Sequence, residues 1–73
     1  MNRTRGAIEI HLKELLEETG LSKNKFCQKA ELQRPQLNGY LNGTITRLDV
    51  DVLIRICDTL NCSISDLLEY KPN

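Results

Sequence analysis

The sequence predicts an all-α fold, a single compact domain of five short helices. Three observations carry this expectation. Apolar residues recur at three- and four-residue spacing through most of the chain. Ser, Asp, Asn and Gly stand where that spacing breaks, as helix caps do. Strand signals are weak: "AIEI" (7–10) alternates apolar and polar for only four residues and reads as an extended arm or as the first turn of a helix. A chain of 73 residues makes one domain. At that size it buries only about 60 % of its unfolded surface, which leaves no room for a deep catalytic cleft.

The elements follow in order. Residues 1–7 are expected to be a flexible arm. A first helix over 10–19 presents Leu12, Leu15 and Leu16 on one face, and Gly20 stops it. Ser22 is a good N-cap for a second helix over 23–30, with Phe26 and Ala30 at i, i+4 spacing. The turn "ELQ" has Leu32 as its apolar anchor. Pro35 then raises a question, because it stands between two helical runs. Proline lacks a backbone N–H and clashes with the preceding turn, yet it is tolerated in a first turn, where amides have no partner. Pro35 therefore opens a third helix, over 34–41, with Leu37, Tyr40 and Leu41 as its apolar stripe and Asn42-Gly43 as its stop. After the loop "TITR", Asp49 caps a fourth helix over 50–60, where Leu53, Ile56, Cys57 and Leu60 form an amphipathic stripe. Ser63 or Ser65 caps a fifth, over 64–69, with Leu67 and Leu68 facing inward. The expected core comprises Leu15, Leu16, Leu21, Phe26, Leu32, Leu37, Leu53, Ile56 and Leu60.

Composition narrows the function. The chain is 40 % hydrophobic and 27 % charged, which is globular rather than disordered. No apolar run approaches the ~20 residues of a membrane span, and "MNRTRGAIEIHLKE" has no apolar signal-peptide region. A cytoplasmic location is expected. Cys27, Cys57 and Cys62 are an odd set, and His11 is the sole histidine. That is poor zinc-site spacing, so the cysteines read as free thiols and no metal or cofactor is expected. An enzyme is not expected either: His11 has no catalytic partner at plausible spacing, no glycine loop cradles a phosphate, and capping explains the acidic residues.

Net charge is zero, but its distribution is uneven. Residues 20–47 carry Lys23, Lys25, Lys29, Arg34 and Arg47 against Glu31 alone, a balance of +4. The flanking segments are acidic, −1 for 1–19 and −3 for 48–73. The basic centre contains the two short helices around the tight turn. A protruding helix of this size fits the major groove of B-DNA.

The stretch "LSKNKFCQKAELQRPQLNGYLNGT" resembles the helix-turn-helix of Cro/C1-type (XRE-like) DNA-binding domains of phage repressors and bacterial regulators. The tail "LDVDVLIRICDTLNCSISDLLEYKP" is similar to the fourth and fifth helices of a short bacterial branch ending in "DLLEY". The resemblance covers residues 8 to 72 and implies a lambda-repressor-like domain that binds double-stranded DNA and regulates transcription, most simply as a repressor. It also implies site residues. Lys23, opening the second helix, anchors to a phosphate. Gln33, Arg34, Pro35 and Gln36, at the start of the recognition helix, approach bases and backbone, Gln33 as a phosphate contact. Asn38 or Gly39, one turn on, is a further base-facing position. Asn42 meets phosphate, and Thr44 and Arg47 are further phosphate candidates.

This chain departs from the family pattern in three places. Glu31 stands where the turn usually has glycine, so it is either strained or the turn differs. Pro35 offers only apolar contact, and Gly39 has no side chain to read a base, so specificity is expected to rest on Arg34. Lys25 and Lys29 read as a solvated face, His11 as a surface residue and Tyr40 as packing. Arg3 and Arg5 read as a frayed terminus rather than a minor-groove arm. A homodimer through the fifth helix and chain end, using Ile64 and Tyr70, is expected because one recognition helix reads few base pairs. No small-molecule effector is expected. The alternative is a protein-interaction module, such as an antitoxin or anti-repressor.

Overall fold

The computed structural model describes residues 5–73; Arg3 and the first part of the expected arm lie outside them. The order is β1 (Ala7–Ile10), α1 (Leu12–Thr19), α2 (Lys23–Ala30), α3 (Arg34–Asn42), α4 (Val50–Leu60), α5 (Ile64–Leu67) and β2 (Leu68–Lys71). All five expected helices are present, but the domain is not strictly all-α. β1 and β2 pair antiparallel, with Ile8 opposite Tyr70 and Ile10 opposite Leu68. "AIEI" is therefore a strand, and its partner lies at the other end of the chain. The sheet shortens two helices. α1 begins at Leu12 because the backbone N–H of His11 donates to Leu67 O at 2.7 Å instead of entering a helix. α5 stops at Leu67 because Leu68 is already extended, at φ −117° and ψ 139°.

The caps follow the residue types. The Ser22 hydroxyl accepts from the Lys25 N–H, the Asp49 carboxylate from the Asp51 and Val52 N–H groups, and the Ser63 hydroxyl from the Asp66 N–H. Pro35 is in the first turn of α3, as its missing donor requires. The core holds Leu12, Leu16, Phe26, Ala30, Leu32, Leu37, Tyr40, Val52, Ile56 and Leu67. Leu15, Leu21, Leu53 and Leu60, expected at its centre, pack against its edge instead. Leu12 stands one turn before Leu16, and Val52 one turn before Ile56, on the same faces, and these i, i+4 pairs take the central places.

Glu31 closes α2 at φ 56° and ψ 44°, the left-handed conformation that costs a side-chain-bearing residue about 1–2 kcal/mol. The turn is thus built in the family manner with a strained residue. Its carbonyl accepts from Arg55 Nη1 at 2.6 Å, which ties the turn to α4, and Arg55 Nε lies 3.2 Å from Asp51 Oδ2. Glu31→Gly should relieve the strain and stabilise the domain by roughly 0.5–1 kcal/mol, offset in part by glycine's extra freedom when unfolded. Urea unfolding measures it, and a destabilised variant would show that the Glu31 side chain contributes more than its backbone costs.

His11 clasps the sheet to α1. Its Nε2 is 2.8 Å from Glu69 Oε1 and its Nδ1 3.4 Å from Glu14 Oε2. Glu9 faces Glu69 across the strands, and the ligating atoms of Glu9, His11 and Glu69 lie within 4.8 Å of one another. Lys71 Nζ, 3.2 Å from Glu69 Oε2, already supplies a cation there. The Glu69 hydrogen bond, then that of Glu14, raises the His11 pKa above its ordinary 6.5. His11 in turn is the main influence holding the Glu69 carboxyl below its usual range. A raised histidine pKa stabilises the fold fully below pH 6.5 and ceases to as pH rises through the folded value. The melting temperature should therefore fall as pH rises through that window, and His11→Gln should remove this slope. An unchanged slope in His11→Gln would assign it to another group.

Candidate nucleic-acid interface

The site is built on α2 and α3. Leu37 and Tyr40 turn the inner side of α3 into the core, and burial is the main influence raising the Tyr40 hydroxyl pKa. Tyr40 thus packs, as its stripe position predicts. The opposite side of α3 carries Arg34, Pro35, Gln36, Asn38 and Asn42, all exposed. Lys23 at the start of α2, Gln33 before α3, and Thr44 and Arg47 in the following loop are exposed as well. Lys23, Asn38 and Asn42 come together along an open groove of about 360 Å³, which Lys13 and Glu17 of α1 also line. Thr44 and Arg47 are not part of that groove.

Gln36 has two roles on one side chain. Its Oε1 accepts from the Gln33 N–H at 3.1 Å and so caps α3. Its amide N–H groups remain for a partner outside the chain. Gly39 is half-buried, and a Cβ there would come within 2.8 Å of Ile45 Cγ2. Glycine at this position therefore lets the loop after α3 fold back against the helix. The Gly43 and Thr44 N–H groups both donate to Gly39 O, which closes that return.

Two features were not evident from sequence. Lys13 joins the groove from α1, and only the packing of α1 beside α3 brings it there. Arg34 Nη1 donates to Asn24 Oδ1 at 2.6 Å, linking the first turns of the two helices. The first turns also contribute positive dipole ends, which favour an anion. The cysteines take no part. All three are free and half-buried, and burial, with Cys57 beside it, pushes the Cys62 thiol up to about 11, so it stays protonated at neutral pH. Among the described residues no helix is long and apolar enough to cross a membrane.

An exposed face of α3, set beside the lysine-bearing α2 on a buried scaffold, defines a small helix-turn-helix domain. The model of the Cro/C1-type helix-turn-helix DNA-binding domain family matches residues 11–73, and the chain belongs to that family. It is also similar in fold to a solved structure, the crystal structure of the transcriptional regulator VanUg, at a TM-score of 0.72 and 19 % identity, covering 100 % of this chain and 96 % of that one. No curated protein sequence matches the chain.

Proposed function

We propose that this chain is a sequence-specific regulator that places α3 in the major groove of double-stranded DNA and acts as a repressor by occupying its site. The observation that carries this reading is the sidedness of α3. Its apolar stripe is buried, while Arg34, Gln36, Asn38 and Asn42 stand exposed, Asn38 and Asn42 in one groove with Lys23. Arg34 and Gln36, with apolar contact from Pro35, read bases. Lys23, Asn42 and Lys13 hold the backbone from the groove side, with Gln33, Thr44 and Arg47 at the flanks. Gly39 brings only backbone and Asn38 the side chain at the next turn.

The working form is a homodimer, because two half-sites supply the affinity that one short helix lacks. An apolar surface suited to this runs over Val50, Ile54 and Ile64, at 71 %, 52 % and 49 % exposure. Leu53 and Cys57 line the shallow groove between them. Tyr70, beside Ile8 on the sheet, extends the apolar surface at the chain end.

Selection of bound sites from a random duplex pool tests the reading. The expected product is a palindrome with half-sites about 34–36 Å apart, bound by two chains. Absence of any enriched sequence, with equal weak binding to all duplexes at low salt, would overturn it in favour of a protein-interaction module.

A further inference from the structure

Building on the DNA-binding reading above, we propose that Asn24 is the positioning residue that sets the guanidinium of Arg34 for guanine recognition. The two side chains project from different helices, α2 and α3, and meet at 2.6 Å although both are exposed. The orientation of the Asn24 amide is forced by chemistry. Guanidinium has only donors, so the atom facing it is the carbonyl oxygen.

The bond uses Nη1 and leaves the Nε and Nη2 edge free. That edge is a parallel pair of donors, the fork that matches O6 and N7 of guanine. A free arginine samples many rotamers and loses that freedom when it docks. Held from the side by Asn24, Arg34 has part of that ordering complete before DNA arrives. Asn24 therefore influences sequence preference without touching a base.

Four variants (Asn24→Ala, Arg34→Ala, the two combined, and Asn24→Asp) on selected and random duplexes, with the free protein as a control, test this. In the free wild-type chain the Arg34 guanidinium protons should show slowed rotation by NMR, and Asn24→Ala should abolish it. Asn24→Ala should lower the ratio of selected to random affinity by about 3- to 30-fold, inside the roughly 2- to 160-fold that coupling between two contacting residues spans. In an Arg34→Ala background the same change should move that ratio less than about twofold. Asn24→Asp keeps the acceptor but adds a negative charge. It should weaken binding to both duplexes while preserving their ratio.

An equal loss on both duplexes, or the same loss with and without Arg34, would make Asn24 an independent phosphate contact and overturn the proposal. Free guanidinium rotation in the wild-type chain would overturn it without touching the DNA-binding reading. Slowed rotation in a wild-type chain that prefers no sequence would end both.

Discussion

Leu37→Ala should cost roughly 2–5 kcal/mol, the range for removing a buried leucine side chain and leaving a hole. Leu37 is fully buried at the centre of the core, on the inner side of α3. A domain of this length ordinarily has about 4–11 kcal/mol of stability in total, so the variant should be near its unfolding threshold. The hole would lie directly beneath the recognition helix. DNA affinity should fall along with stability, although Leu37 itself touches no DNA. Urea unfolding measures the loss. A change below about 1 kcal/mol would mean that the surrounding side chains close the hole, contrary to the low plasticity of packed interiors.

Much of this architecture was legible locally. Ser22, Pro35 and Asp49 mark helix starts by chemistry that acts within three or four residues, and α2, α3 and α4 begin where these signals stand. The sheet was not legible for the opposite reason. Each strand has four residues, and neither has a partner within its own neighbourhood. Only folding brings Ala7–Ile10 against Leu68–Lys71, and an isolated pair this short needs the core beneath Ile10 and Leu68 to persist. The same limit applies to the site. The exposed face of α3 follows from its apolar period. The Asn24–Arg34 bond depends on the crossing of two helices, and the entry of Lys13 depends on how α1 packs. Glu31 falls between these cases. The resemblance left open a strained Glu31 or a turn of different detail, and the structure has the strained residue, at φ 56°. The Arg55 bond that braces it comes from α4, beyond any local pattern.

Lys23→Ala and Arg34→Ala should affect DNA binding in different ways, and the difference separates attraction from recognition. Lys23 stands at the first residue of α2, on the groove shared with Asn38 and Asn42. A phosphate contact there releases a counterion and contributes about −0.9 to the slope of log affinity against log salt. Lys23→Ala should weaken binding to all sequences alike and flatten the slope by about one unit per protomer. Arg34→Ala should cost roughly 1–3 kcal/mol on the selected site, the value of a bidentate arginine–guanine pair, and much less on random duplex. The basic balance of residues 20–47, +4, is opposed by −1 and −3 in the flanking segments. Glu17 of the first segment lines the groove with Lys13 and Lys23, so the other acidic residues must face away from the duplex, or repulsion would cancel the attraction of the centre. Both variants, measured on both duplexes at two salt concentrations, decide the assignment. Equal weakening of selected and random DNA by Arg34→Ala would make Arg34 a backbone anchor and move recognition to Gln36 and Asn38. An unaltered salt slope in Lys23→Ala would move the phosphate contact to Lys13, its neighbour across the groove.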